Sequence, residues 1–161
     1  MEAICLKTEH LVNPLGIDIV RPYLTWNCKD GIKQTAYEIE ASEGGRILWN
    51  SGKITTGRMS AELGIDAVSR QRIFWKVRLW DEKDLPGKWS REAWFEMGIL
   101  EKKQFVARWI NPEPVCNPEE HKPASYLKTS FRAERSGRAR LYITCHGLYE
   151  AYINGRRVGD F

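Results

Sequence analysis

The sequence predicts an all-β fold, and three observations favour it. Among its 161 residues are seven Trp, six Tyr and five Phe, and aromatic side chains are enriched in strands because they pack well on a pleated surface. Short apolar runs recur along the chain with turn residues between them, which is the spacing of a β-sandwich. Helical patterns do not alternate with these runs, so a parallel α/β sheet is not indicated.

Four strands are predicted in the N-terminal part of the chain. Residues 3–6 begin the first, and residues 21–26 form the second, with a proline near the start because proline cannot donate to a sheet ladder. Residues 34–42 alternate apolar with acidic side chains, which is typical of a half-buried strand. The pair Gly44-Gly45 tolerates positive φ and predicts a hairpin into residues 46–49.

The strongest apolar run covers residues 72–80. It predicts a strand with odd-numbered side chains inward and Phe74 and Trp80 on the outer face. A Pro-Gly pair predicts a turn at residues 84–88, and residues 93–97 supply a last strand, which completes the strand count of a small Greek-key sandwich. The inward phase of the strands predicts a core that contains Trp26, Tyr37, Ile39, Trp75, Val77, Leu79 and Phe95.

A second unit is predicted after a polar break at residues 101–104 and a proline-rich loop at residues 111–123. Asn154-Gly155 is a strong hairpin signal because both central residues of a type I′ turn need positive φ. Few strands are predicted in this unit, so their edges are expected to be open. The predicted strands are residues 126–133, 140–144 and 149–153, with a return strand from Arg156.

The charge pattern excludes several partner classes. The net charge of +4 comes from 25 Lys and Arg against 21 Asp and Glu, and the signs are mixed along the chain, so no nucleic-acid partner is predicted. Residues 1–14 contain charged side chains where a secretory signal needs an uninterrupted apolar core, and no stretch approaches the length of a membrane span. A cytoplasmic protein with no membrane partner is therefore expected.

No metal site and no cofactor are predicted. Zinc-ligand spacing is absent from the four cysteines, Cys5, Cys28, Cys116 and Cys145, and from the three histidines, His10, His121 and His146. Reduced thiols are expected, as is usual in a cytoplasmic protein. The alternative is a disulfide between Cys5 and Cys28, whose strands a sandwich could bring close.

An ordered set of strings connects the chain to a known family. The strings are NPLGID (13–18), RPYLTW (21–26), QTAYEIEAS (34–42), LWNSGK (48–53), FWKVRLWD (74–81), KWS (88–90), ARWI (107–110) and ARLYITCHGLYEAYINGRRVGD (139–160). In this order and with natural spacing they resemble the N-terminal region of bacterial α-L-rhamnosidases. The resemblance covers nearly the whole chain, and the run from Ala139 to Asp160 is its most distinctive part.

The resemblance implies two pieces of fold. Residues 1–100 are expected to form a fibronectin-type-III-like or immunoglobulin-like sandwich, and residues 105–161 the opening of a jelly-roll domain similar to galactose-binding folds. In the family, inverting hydrolysis of terminal α-L-rhamnose belongs to a later (α/α)₆ barrel. The chain is therefore expected to be a non-catalytic accessory fragment that supports this barrel, and not an enzyme by itself.

No catalytic residue is predicted in the chain. Glycoside hydrolysis needs two carboxyl groups held across the scissile bond. The candidate acids lie in or near turns, where carboxylates are usually solvated. They are Asp81-Glu82, Asp84 and Glu119-Glu120.

Three tryptophans are candidate carbohydrate contacts. Trp49, Trp80 and Trp89 are proposed because a Trp face complements the C–H face of a pyranose. The alternative is that these rings cover a domain interface. Trp89 and the serine after it also resemble half of the Trp-Ser box of cytokine-receptor sandwiches, which implies that Arg78 or Arg91 stacks on a Trp.

The expected partners are the remaining domains of the parent enzyme and a rhamnose-containing glycan. Open strand edges in residues 125–160 further predict a homodimer by strand addition or docking on residues 1–100, with disorder of this region as the rival outcome. Two other functions stay open. One is a free-standing β-sandwich module that binds carbohydrate or protein, and the other is a small enzyme whose pocket the sequence does not reveal.

Overall fold

The structure is a computed structural model that describes residues 1–111, 124–137 and 139–160. The chain divides into two compact units, unit 1 (Met1–Arg108) and unit 2 (Trp109–Phe161). Strands account for the regular structure of both units, and the one helical element described is a short 3-10 turn at Lys102–Gln104. The predicted all-β class is confirmed.

Unit 1 is a sandwich of a small sheet and a large sheet. The small sheet has the strand order β1-β3-β7, and the large sheet has the order β2-β9-β8-β4-β5, with β6 paired to β4. The strands are β1 (Glu2–Thr8), β2 (Leu15–Ile17), β3 (Tyr23–Lys29), β4 (Ala36–Glu43), β5 (Arg46–Asn50), β6 (Ile54–Thr55), β7 (Ser60–Glu62), β8 (Arg72–Trp80) and β9 (Ala93–Met97).

The β4–β5 hairpin forms as the sequence predicts. Glu43 pairs with Arg46 across a two-residue turn, and Gly44 and Gly45 both have positive φ, at 56° and 85°. Both central residues of a type I′ turn need this backbone region, which costs a glycine little.

The core lies between the two sheets. β4 and β8 pair in an antiparallel register from Ala36–Trp80 to Ser42–Phe74, and the alternation of the strand sends every second side chain inward. The seven residues predicted for the core are all buried, with Ile39, Val77, Leu79 and Phe95 fully excluded from solvent. The predicted strand register is therefore confirmed.

The chain changes sheets between β1 and β2. β1 pairs with β3 in the small sheet, whereas β2 runs parallel to β9 at the edge of the large sheet. The side-chain Oδ1 of Asn13 accepts a hydrogen bond from the backbone N–H of Trp94 at 3.0 Å and so fixes the crossing. The strands β2, β6 and β7 are not predicted from the sequence, because strands of two or three residues are too short to show a period.

The indole N–H groups of two core tryptophans, Trp26 and Trp75, each have an acceptor. Trp75 Nε1 donates to Thr8 Oγ1 at 3.2 Å, which joins the large sheet to the end of β1. Trp26 Nε1 donates to Gln34 Oε1 at 3.0 Å, and Gln34 Nε2 donates to the backbone oxygen of Arg58 at 2.8 Å. These bonds are needed because an unsatisfied buried polar group is destabilising.

Unit 2 contains a two-stranded hairpin of β10 (Glu150–Ile153) and β11 (Arg156–Asp160). Asn154 and Gly155 have φ of 50° and 77°, as the Asn-Gly signal predicts. The strands predicted at residues 126–133 and 140–144 are wrong, because the described residues 124–137 and 139–149 contain no strand. Apolar content alone does not make a strand, which needs a neighbour for its backbone groups. The jelly-roll assignment of residues 105–161 stays a prediction.

Cys5 and Cys28 are free thiols, so the alternative disulfide is not formed. Across the β1–β3 ladder, Cys28 faces Ala3 and not Cys5. Cys5 is exposed and lies in a bulge of β1 with positive φ. Cys116 lies outside the described residues. None of the helical structure in residues 1–111, 124–137 and 139–160 could span a lipid bilayer.

The bond between Thr8 and Trp75 gives a stability prediction. Trp75→Ala is expected to lower the free energy of unfolding by about 3–5 kcal/mol, the usual cost of truncating a buried aromatic.

Thr8→Val tests the hydrogen bond itself. It keeps the shape of the side chain but removes the acceptor, and should lower the free energy of unfolding by about 1–3 kcal/mol. In a Trp75→Phe background no indole N–H remains, so Thr8→Val should cost markedly less. Equal costs of Thr8→Val in the two backgrounds, measured by urea unfolding, would contradict the bond.

Candidate functional site

The outer face of the large sheet carries a row of alternating cations and indoles. The even-numbered side chains of β8 point to this face because its odd-numbered side chains fill the core. A loop before β9 brings one more indole over the same face. We call the row the cation–aromatic ladder, and its members in order are Lys53, Trp80, Arg78, Trp89 and Lys76.

Arg78 occupies the middle of the ladder. Its Cζ lies 5.1 Å from the ring centroid of Trp80 and 4.9 Å from that of Trp89. Lys53 Nζ lies 5.1 Å from the Trp80 centroid, and Lys76 Nζ lies 5.0 Å from the Trp89 centroid. Each such contact contributes about 0.5–2 kcal/mol, depending on how far it is desolvated.

Carboxylates on β4 neutralise the ladder cations of β8. The strand register places Glu38 opposite Arg78 and Glu40 opposite Lys76, and their ion pairs measure 2.6 and 2.7 Å. The two glutamate side chains are only 12% and 17% exposed, so each depends on its partner for solvation. The arrangement therefore fixes charge on a half-buried face and presents no free acid.

A shorter stack of the same kind lies at the start of β8. The Arg72 Cζ is 4.4 Å from the Trp94 ring centroid, and Arg72 forms an ion pair of 2.8 Å with Glu96 on β9. Both partners lie on the strand that neighbours β8 on the side away from β4. The outer face is thus crosslinked from β4 through β8 to β9.

Ser90 holds Trp89 in its place. Its N–H donates to the backbone oxygen of Val77 at 2.9 Å, and its Oγ accepts a hydrogen bond from the Val77 N–H at 3.1 Å. These two bonds attach Ser90 to β8, and the attachment fixes the position of Trp89, the residue before it. Arg78 is the arginine that stacks on Trp89, in agreement with the Trp-Ser resemblance.

The carbohydrate-contact candidates differ in what covers them. Trp80 is 7% exposed, so the exposed ring face that this candidate requires is not available at that position. Trp89 is half-buried beneath two cations. Trp49 packs against the core, and its ring lies so close to Gly64 that any side chain at that position would collide with it. Glycan contact by these residues stays a prediction.

Three of the acids nominated from the sequence, Asp81, Glu82 and Asp84, are described, and they lack the setting of a general acid. Hydrogen bonding from the backbone N–H of Leu85 holds the pKa of the Asp81 carboxyl below its usual value, and backbone N–H groups, first that of Glu82 itself, lower the pKa of the Glu82 carboxyl. A general acid needs a raised pKa. Asp84 forms an ion pair with Lys53 at 2.6 Å, and Glu119-Glu120 lies outside the described residues.

The structure describes two of the three histidines, His10 in unit 1 and His146 in unit 2. The ring of His146 stacks on Trp109 with centroids 4.5 Å apart, while His10 occupies a turn with φ of 65°. His121 lies outside the described residues. Across the described ranges, no three His, Cys, Asp or Glu side chains are placed to hold a metal ion.

The ladder is not predicted as a unit from the sequence, although a signal for its ion pairs is visible there. Glu38 and Glu40 alternate on one strand, and Lys76 and Arg78 alternate on another. Such opposite charges at period two predict cross-strand ion pairs only when the two strands are known to be neighbours in that register.

Removal of the Arg78 guanidinium tests the ladder. Arg78→Met takes the cation from two rings and leaves the Glu38 carboxylate without its partner, so unfolding should become easier by about 1–3 kcal/mol. Arg78→Lys keeps the charge but loses the planar stack on the rings. Its free energy of unfolding should therefore lie between those of wild type and Arg78→Met. The matched control is Arg91→Met in the neighbouring exposed loop, which should stay within about 0.5 kcal/mol. Equal urea midpoints for Arg78→Met and Arg91→Met would contradict the ladder's contribution.

Two family models match the chain. The model described as the Rha78A-like, N-terminal immunoglobulin domain matches residues 4–101, and the α-L-rhamnosidase N-terminal domain model matches residues 134–161. The α-L-rhamnosidase of Alteromonas sp. (strain LOR) is 36% identical over 93% of this chain, which spans 18% of that relative's length.

Solved structures agree with the family models. The α-L-rhamnosidase from Dictyoglumus thermophilum is 29% identical with a TM-score of 0.66, over 70% of this chain and 14% of that chain. The Streptomyces avermitilis α-L-rhamnosidase complexed with L-rhamnose is 27% identical with a TM-score of 0.64, over 69% of this chain and 12% of that chain. The chain therefore belongs to the family of Rha78A-like N-terminal immunoglobulin domains, which form the N-terminal region of α-L-rhamnosidases.

Proposed function

We propose that this chain is a non-catalytic accessory portion of an α-L-rhamnosidase, and that its role is to support the rest of the enzyme. The observation that carries the proposal is that both matched models are N-terminal regions, while the chain spans 18% of the Alteromonas relative. The whole enzyme would hydrolyse terminal α-L-rhamnose from glycans or glycosides with inversion.

The chemistry of the described acids supports a non-catalytic role. An inverting glycosidase holds two carboxyl groups about 6.5–9.5 Å apart with room for a water between them, and one of them must be protonated. Glu38, Glu40 and Glu96 are instead tied to cations on the outer face of the large sheet. Because these ion pairs fix the carboxylates in place and leave them without a proton to give, they suit a structural surface better than a catalytic site.

A free-standing carbohydrate-binding module is the competing function. Such a module needs an open aromatic platform. The rings of Trp80 and Trp89 are each approached by two cations, so structural support is the better-supported role. Titration of the chain with L-rhamnose distinguishes the two functions, because saturable heat would favour the binding module over a purely structural role.

The purified chain should not hydrolyse an aryl α-L-rhamnoside above the blank, because the reaction needs a carboxyl pair across the bond. Release of the aryl group followed by absorbance is the measurement. Turnover that disappears when any acid within residues 1–161 is replaced by its amide, with Asp81, Glu82, Asp84, Glu119 and Glu120 substituted first, would end the proposal.

The supporting role is tested in the Alteromonas relative. Three proteins are compared: the intact relative, a deletion variant without the region that this chain matches, and a chimera in which this chain replaces that region. The half-life of rhamnosidase activity at elevated temperature should fall in the deletion variant and recover in the chimera, because docking of a folded unit stabilises its partner. The role would be contradicted if the activity of the deletion variant had the same half-life as that of the intact relative. It would also be contradicted if the half-life of the chimera did not exceed that of the deletion variant.

A further inference from the structure

A concentrated apolar surface lies where the chain of unit 1 passes between the two sheets. Five large hydrophobic side chains there are between 41% and 61% exposed. A protein surface rarely gathers exposed apolar side chains in this way without a partner. We call this surface the apolar strip, and its members are Leu11, Ile19, Val20, Tyr23 and Val68.

Backbone hydrogen bonds hold the strip together. The N–H of Glu9 donates to the oxygen of Tyr23 at 2.9 Å, and the same turn pairs Leu11 with Thr8 at the end of β1. The N–H of Ala67 donates to the oxygen of Val20 at 2.9 Å, which brings Val68 alongside. A surface fixed in advance loses little conformational entropy when a partner covers it.

The charges near the strip are largely satisfied within unit 1. Glu9 Oε1 accepts a hydrogen bond from the N–H of Tyr23, and Arg21 forms an ion pair with Asp66. Asp18 is the exposed acid of the same stretch. The centre of an interface is depleted in unpaired charge, so the strip fits an apolar face with a basic group at the rim opposite Asp18.

We infer that the apolar strip is the surface on which the rest of the α-L-rhamnosidase polypeptide docks, an inference that rests on the proposed function. The partner is chosen because this chain spans only 18% of the Alteromonas relative, so over four-fifths of such an enzyme lies outside it and is available to cover the strip. The match to the intact relative runs over 93% of the chain, which includes the strip.

Substitutions in the chimera separate docking from folding. Leu11→Asp and Val20→Asp place a charge on the strip. The matched controls are Ile32→Asp and Leu85→Asp, which change side chains that are 88% and 58% exposed. Ile32 follows the end of β3, whereas the strip adjoins its beginning. Because all four side chains are exposed, the isolated chain should melt within about 2 °C of wild type with any of them.

In the chimera, Leu11→Asp and Val20→Asp should remove most of the gain in activity half-life over the deletion variant, since loss of an apolar anchor weakens an interface about tenfold or more. The two control chimeras should keep that gain. If the wild-type chimera recovers and all four variants equal it, the docking surface is wrong while the supporting role stands. If the wild-type chimera fails to recover, both are wrong.

A second copy of the chain is the rival occupant. Sedimentation of the isolated chain distinguishes it, because a strip that mediates self-association would give a dimer that Leu11→Asp converts to a monomer. That result would overturn the inference. A monomer at all concentrations, together with the loss of the gain in the strip chimeras, supports docking on the enzyme.

Discussion

The antiparallel register between β4 and β8 determines both faces of the large sheet. It sends Ile39, Val77 and Leu79 into the core, and on the opposite face it sets Glu38 against Arg78. A shift of one residue would exchange the two faces and bury the ion pairs, which is why such a shift is strongly disfavoured. The core and the cation–aromatic ladder therefore specify the same pairing from opposite sides of one sheet.

The change of sheet between β1 and β2 is the second constraint. It requires three non-glycine residues, Glu9, His10 and Asn13, to adopt positive φ. Most side chains disfavour this region, although Asn tolerates it better than others. The cost is offset by the pairing that follows, since β2 then joins β9. The same crossing carries Leu11 of the apolar strip, and the connections into β3 and β8 carry Ile19, Val20 and Val68. The topology of the sandwich therefore creates the surface that a partner can cover.

Long strands could be predicted from the sequence, and short ones could not. Residues 34–42 and 72–80 show a full alternation, whereas β2, β6 and β7 form because a neighbouring strand accepts them. At residues 140–144 the sequence predicts a strand that does not form. These residues are apolar, but in the described structure no neighbouring strand pairs with them. Trp80, Trp89 and Arg78 of the ladder could be singled out from the sequence, but their assembly into one row could not. Lys53 and Trp89 reach the row from loops, and the paths of loops depend on tertiary structure.

The parallel pairing of β2 with β9 also bears on how the chain folds during synthesis. Leu15 pairs with Glu96, so strands from the two ends of unit 1 are neighbours in space. Contacts of such separation form late, because the intervening loop must first be closed at an entropic cost. While β9 is still inside the ribosome, β2 has no partner and the edge of the large sheet is missing. Unit 1 consequently completes its sandwich only after nearly all of it has been translated.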